Sequence, residues 1–293
     1  MNHLEPLRMN TSVPKVTVVT PSYNQGEYIE STIRSVLLQN YPNLEYIVMD
    51  GGSTDKTLEV IERYDDQIDY WESKPDRGQT HAINKGFERA RGDILCWLNS
   101  DDFFLSGALK YIGNYFLENE STSIVSGAGI SYDQSTKTYQ PHRACQTGVA
   151  PGLLSMLTLH GNVIQHSTFW RAGVMTKVGK LDEKYDYAMD HEFFLRCVAS
   201  GEEITVTDKC LASFRRHKDQ KTQENGSPYV READQCKEPY IGTSLMTSNL
   251  TLSAYSAAIK FYRKHINTHP RLGLAPTCRK NNGDAWLIKI GVE

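Results

Sequence analysis

Between Lys15 and Phe116, short β-branched runs alternate with segments whose apolar residues recur at helical spacing, and this alternation restricts the fold more than any other feature. "KVTVVT" (15–20) is broken by "PSYNQG"; "EYIESTIRSVLLQ" then places Ile29, Ile33, Val36 and Leu37 on one helical stripe. "LEYIVMD" (44–50) is a second strand ended by "GGS", with Ser53 suited to cap the helix that follows. "IDYWES" (68–73), a helix around "THAINKGFERA", "DILCWL" (93–98) and a helix near "GALKYIGNYFLEN" continue the series. Strands separated by helices of this length predict an α/β fold with a doubly wound, mostly parallel sheet flanked by helices. In such sheets ligands bind beyond the carboxyl ends of the strands. The polar clusters "PSYN", "DGGSTD" and "NSDD" each follow a strand directly, so they fall at that edge.

The second half is less regular. "TSIVSGAGISYD" and "TYQPHRA" are expected to pair as a hairpin, and "EEITVTDKCLASFRRH" (202–217) reads as edge strands. "LTLSAYSAAIKFYRKHI" reads as a helix in a C-terminal appendage. Net charge is -3 with a pI near 6.3, which gives no electrostatic case for nucleic-acid binding. The six cysteines show no CxxC pair and no zinc spacing, so free buried thiols in a reducing compartment are expected. No apolar run reaches about 18 residues, and "MNHLEPLRMNTSVPK" lacks the apolar centre of a signal peptide. These features predict a cytoplasmic protein, with peripheral attachment at the inner face of the membrane as the closest approach to a bilayer.

Three constellations carry chemistry. No G-x-G-x-x-G follows the first strand, so a dinucleotide fingerprint is absent. Asp50 ends the second strand, where a carboxylate is suited to accept from the imino N–H of uracil, thymine or guanine; Tyr23 is suited to lie against the ring. Helix-terminal charge is the competing role for Asp50. In "CWLNSDDFF", Asp101 and Asp102 follow a buried strand, and adjacent carboxylates there repel each other and are costly to desolvate. A divalent cation with hard oxygen preference, Mg²⁺ or Mn²⁺, would offset that repulsion and hold diphosphate oxygens, with a neighbouring acid or Asn99 reaching the ribose. "YAMDHEFFLRC" supplies Asp190 near a helix start, where it is suited to accept a proton from an attacking hydroxyl. His217 in "FRRHKDQKT" is suited to the metal or, beside Arg215 and Arg216, to phosphate; Gln165 and His166 are suited to an acceptor site.

Taken in order, "VTVVTPSYNQGEYIESTIRSVLLQNYPNLEYIVMDGGSTDKT", "PDRGQTHAINKGFERARGDILCWLNSDD" and "MDHEFFLR" resemble glycosyltransferase family 2, of GT-A fold, over about Lys15 to His217. The resemblance implies an inverting transferase that moves a sugar from a nucleotide diphosphate-sugar, a UDP-sugar foremost, to an acceptor hydroxyl on a glycan or lipid-linked molecule. By position in the motifs it assigns Tyr23 and Asp50 to the base, Arg77 to the donor, Asn99 and Ser100 to the donor beside the metal, and Asp190 to the catalytic base. The family's Asp-x-Asp falls on Asn99-Ser100-Asp101, which shifts the metal onto Asp101 or Asp102. Its usual Glu-Asp pair appears as Met189-Asp190. The implied organisation is an extension at 1–14, a catalytic domain at 15–231 with nucleotide and acceptor halves at 15–120 and 121–231, and a helical appendage at 232–293. That appendage is open to packing on the domain, forming a homodimer or resting on a membrane through Lys260, Arg263 and Lys264. A hydrolase or nucleotidyltransferase on a similar sheet, and a degenerate non-catalytic nucleotide-sugar-binding protein, are the rival readings.

Overall fold

The computed structural model of the protein describes residues 13–141, 152–158, 163–221 and 227–240. β1 (Val16–Ser22) is buried along its whole length and pairs in parallel with β2 (Leu44–Asp50), Val18 facing Tyr46. β2 pairs in parallel with β3 (Tyr70–Ser73), and β4 (Ile94–Trp97) returns to pair in parallel with the other side of β1. Helices α1 (Ile29–Leu37), α2 (Thr57–Glu62) and α3 (Gln79–Arg89) make the crossovers. Because the chain steps outward from β1 to β3 and then doubles back, the order reverses between β1 and β4. That reversal opens a crevice at the carboxyl edge.

The parallel pairing expected from sequence belongs to this first half. β8 (Thr168–Arg171) runs antiparallel to β4, and β6 (Ile124–Asp133) antiparallel to β8. The sheet order is β3-β2-β1-β4-β8-β6-β9-β5, with β7 (Thr138–Pro141) on β6 as the expected hairpin partner. The 202–217 segment is a correction. It forms one long strand, β9 (Ile204–Arg216), inside the sheet between β6 and the two-residue β5 (Phe103–Phe104). It pairs with β6 along its length and with β5 only at Ala212 and Ser213, and alternation of its polar residues with buried Ile204, Leu211 and Ala212 lets one face stay wet.

Helix α4 (Ala108–Glu118) buries Leu109, Ile112 and Phe116, and α6 (Ala172–Val178) follows β8 directly. α5 (Leu153–Thr158) packs against α7 (Met189–Ala199), which buries Phe193, Phe194 and Cys197 as its spacing predicts. Under the crevice Trp97 stacks on Phe194 at 6.2 Å and meets Trp170 edge-on at 5.6 Å. α8 (Ser227–Gln235) runs through the position where the appendage was expected to begin. The expected helix at 250–266, with Lys260, Arg263 and Lys264, lies outside the described residues. Cys96, Cys197 and Cys236 are free and buried, but Cys210 is disulfide-bonded, against the expectation of free thiols throughout. Among the described residues no helix is long and apolar enough to cross a membrane.

Candidate active site

A cavity of about 780 Å³ opens at the carboxyl edge, in the size range of small-molecule sites. The ends of β1, β2 and β4 supply Tyr23, Gly51 and residues 99–102 to its wall; the start of α7 supplies Asp190, and Lys221 closes one side.

The two adjacent acids have different surroundings. The turn after β4 is set by the Asp102 amide donating to the Asn99 carbonyl at 3.0 Å. The Thr32 hydroxyl lies 2.8 Å from the Ser100 carbonyl and 2.7 Å from that of Asp102. Asp102 is buried; one carboxyl oxygen accepts from the Arg215 amide at 3.0 Å and the other has no hydrogen-bond partner among the described residues. Burial, reinforced by the charge of Asp101, pushes its carboxyl well above the usual range. Asp101 instead lines the cavity with its side chain one-fifth exposed, and its Oδ2 lies 3.1 Å from His217 Nε2. His217 Nδ1 accepts from the Asp219 amide at 3.3 Å, which assigns the ring proton to Nε2 and makes it the donor to Asp101. The Tyr28 ring packs on the imidazole at 4.0 Å. Arg215 and His217 thus surround the two acids with cationic and N–H groups that ease the repulsion between them.

Arg215 supplies the cation. It is buried in β9 and donates through Nε to the Asp101 carbonyl at 2.7 Å and through a terminal nitrogen to Ser31 Oγ. Arg215, expected beside His217 and Arg216 as a partner for phosphate, is thus engaged by the protein's own groups. His217 is likewise buried behind Asp101, outside the cavity wall. Arg216, with Lys218, lines a separate recess.

Asp190 stands in the first turn of α7, on the cavity wall, with its carboxyl raised by burial to about 6. The loop leading into that helix hangs on one carboxylate from α8. Glu232 Oε2 accepts from the amides of Asp186, Tyr187 and Ala188 at 3.0, 2.7 and 2.9 Å. Lys221 ties the same loop from the other side through the Asp186 carboxylate at 2.7 Å. Three amides on one oxygen fix the backbone that aims Asp190.

The remaining expected residues fall as follows. Tyr23 is 61% exposed and lines the cavity, as do Asn99, Ser100 and Gln165. Asn99 Oδ1 accepts from Gln79 at 2.9 Å, and Gln165 donates to the Trp97 carbonyl at 2.8 Å, so both are held in place by the protein itself. Buried His166 stacks on Phe214 at 6.0 Å. Arg77 turns away and pairs with Glu183 at 2.6 Å, off the cavity wall. Asp50 lies off the cavity wall. It is buried beneath the wall, and its oxygens accept from the Gly52 and Ser53 amides at 3.1 and 2.9 Å and from the hydroxyls of Ser53 and Ser73 at 2.5 and 2.6 Å. Asp76, Lys221 and Glu232 were missed. Asp76 sits one residue before Arg77 in "PDRGQ", so the motif marked the right loop; nothing local marks Glu232.

The glycosyl transferase family 2 signature matches residues 17–179, over half the chain. An uncharacterized glycosyltransferase of Mycobacterium tuberculosis is 29% identical over 203 residues, which is 67% of this chain and 73% of that protein. TuaG of Bacillus subtilis, whose name assigns it to teichuronic acid biosynthesis, is 34% identical over 126 residues, 42% of this chain and half of its own length. Among solved structures, S. aureus TarS 1-349 in complex with UDP-GlcNAc superposes with a TM-score of 0.62 at 17% identity, covering 94% of this chain and 79% of that one. The mannosyltransferase PcManGT from Pyrobaculum calidifontis, in complex with GDP-Man and Mn²⁺, gives 0.56 at 16% identity, over 96% and 87% of the two chains. Those two likenesses establish the GT-A fold. With a parallel switch-point crevice, a family signature across it and acids at its strand ends, the chain belongs to glycosyltransferase family 2.

Proposed function

We propose that the protein transfers a sugar from a nucleoside diphosphate-sugar, a UDP-sugar, to an acceptor hydroxyl with inversion, and that Asp190 is the base. The carrying observation is a desolvated carboxyl raised to about 6 on the wall of the cavity that also holds Asp101. A base with its pKa near the working pH is largely ionised there yet still basic enough to take a proton from a hydroxyl. The acceptor oxygen attacks the anomeric carbon as its proton passes to Asp190, and the bond to the diphosphate breaks on the opposite face. Tyr23, at the mouth of the same cavity, holds the distal nucleotide so that the sugar lies in line, a positioning effect. Likeness to a protein named for teichuronic acid biosynthesis supports polysaccharide synthesis as the setting, with a glycan or lipid-linked acceptor. Incubation with a panel of nucleotide sugars separates the rivals: a glycoside formed only with acceptor supports transfer, free sugar without acceptor supports a hydrolase, and binding without turnover supports a degenerate family member.

A divalent cation, Mn²⁺ or Mg²⁺, fits this site as a partly protein-held ion. Among the described residues no three His, Cys, Asp or Glu side chains converge as a metal-holding group. Asp101 lines the cavity, and Asp102 beside it keeps one oxygen without a hydrogen bond. One or two carboxylates, with diphosphate and water completing the shell, is how hard cations are held in phosphate sites. When bound, the cation neutralises charge on the departing nucleoside diphosphate. His217 fixes the Asp101 carboxylate, so His217→Ala raises the half-saturating Mn²⁺ concentration about 10–100-fold. His217→Gln, whose amide still donates, is milder. Full transfer after exhaustive chelation would remove the cation from this account.

Glu232 acts through the 186–188 loop. Glu232→Gln halves its acceptor capacity and removes its charge, so steady-state kinetics show kcat lowered by about tenfold with donor KM unchanged. An unchanged kcat would mean that the loop holds itself.

A further inference from the structure

We infer that the acceptor carries an anionic group, a phosphate or a carboxylate, and that the recess beside the catalytic cavity holds it. This rests on the transfer reading above and names the class of its second substrate. The recess, of about 570 Å³, is lined by Asp133 and Ser135 at the end of β6 and by Phe214, Arg216, Lys218 and Gln220 at the end of β9. Phe214 and Gln220 line the catalytic cavity as well, so the two spaces share a wall. Phe214 stacks on His166 at 6.0 Å, and the Gln220 amide donates to the Arg215 carbonyl, which holds that wall in place.

The recess stands apart from the donor's end of the site. β6 and β9 run parallel to each other, with Asp133 opposite Arg216, and in the same direction as β1. Their carboxyl ends therefore share an edge with the ends of β1 and β4. In the sheet, β4 and β8 lie between β6 and β1, the strand that Tyr23 follows.

Charge divides the two spaces. Among the described residues six aspartates line the catalytic cavity against one lysine, Lys221, itself paired with Asp186. In the recess the balance is reversed. The Arg216 and Lys218 side chains are exposed and make no ion pair among the described residues. Asp133 commits its Oδ1 to its own turn, accepting from the Ser135 amide and hydroxyl at 3.0 and 2.6 Å and from the Thr136 amide at 3.0 Å. A diphosphate enters the field of the aspartates with its cation; an acceptor's anion has no such companion and is repelled. With its charge on Arg216 and Lys218, the acceptor keeps that charge out of the cavity while its hydroxyl passes Phe214 toward Asp190, a positioning effect. Arg216 offers a fork to phosphate or carboxylate oxygens and Lys218 a point charge. Two cations in a concave recess fall short of the cluster of about four to eight that binds an anionic lipid surface.

Calorimetric titration of the full chain, in UDP and Mn²⁺, with a glycerol phosphodiester hexamer, a galacturonate hexamer and neutral maltohexaose tests this. At low salt the wild type binds one or both anionic hexamers about tenfold or more tightly than maltohexaose, and added salt shrinks the preference. Which hexamer is preferred tells phosphate from carboxylate. The double variant Arg216→Gln, Lys218→Gln loses the preference, a fall of about tenfold or more, and binds UDP as the wild type does. Lys110→Gln, exposed on α4 and outside both spaces, keeps it. The inference is overturned, and the transfer reading stands, if the double variant keeps the preference, if Lys110→Gln loses it as fully, or if the wild type binds UDP and shows none. Binding of phosphatidylglycerol vesicles that the double variant loses, with no hexamer preference, gives the recess to a bilayer and overturns it too. If the wild type binds no nucleoside diphosphate, the transfer reading falls with it.

Discussion

Replacing Asp190 by asparagine lowers kcat for sugar transfer by about 10²–10⁴-fold, the range of a lost general base, and leaves nucleotide affinity nearly unchanged. The amide keeps the shape of the side chain, so the Asp190 contact with the following amide and the packing of α7 survive; only the capacity to take a proton goes. The same residue fixes the pH dependence. Burial raises its carboxyl to about 6, so the group is protonated below that value and cannot accept from the acceptor hydroxyl. The rate constant kcat/KM therefore falls as the pH drops through about 6 and levels off above it. The residual activity of Asp190→Asn lacks that acid limb. Turnover near the wild-type value in this variant would remove Asp190 from the base role, whatever the cation does.

The largest effect on stability is expected beneath the site. Trp97 ends β4, two residues before Asn99, and is 1% exposed. Its ring lies between Phe194, stacked at 6.2 Å, and Trp170 at 5.6 Å, with Phe87 at 6.3 Å. Trp97→Ala removes the transfer energy of a large aromatic side chain and leaves a cavity that the three surrounding elements cannot close, costing about 3–5 kcal/mol. For a domain of this size that corresponds to a Tm lower by roughly 6–20 °C, read by thermal unfolding. The main-chain carbonyl of residue 97 that holds Gln165 is kept in the variant. A Tm within a degree or two of wild type would show that the α7 face repacks.

Sequence reading succeeded where the determinants are local. The β1–β4 strands, the helices between them and the polar turns at their ends follow from residue periodicity within windows of a few residues, although α2 starts at Thr57 after Lys56 and Ser53 bonds Asp50 instead of capping it. It was silent where a partner lies far along the chain. Asp50 looked available because nothing near it announces that Ser73, 23 residues on, takes one of its oxygens. Arg77 looked free because its partner Glu183 is 106 residues away. Arg215 and His217 sit in a run of charges that reads as a solvated loop; only the pairing of β9 with β6 and β5 buries them. The acid pair was legible as a problem of charge. The protein's own share in relieving it was not, because Arg215 and His217 come from another part of the chain.

The placement of β9 bears on how the enzyme comes into being during synthesis. When the first hundred or so residues have emerged, the strands of the nucleotide half exist, but the turn that carries Asp101 and Asp102 has neither the guanidinium nor the imidazole that settles its charge. Those arrive with residues 215 and 217, on a strand whose sheet neighbours include β5, only two residues long. A truncated chain ending before β9 would therefore be a fragment with an unquenched pair of acids, and one ending before α8 would still lack the Glu232 carboxylate under Asp190.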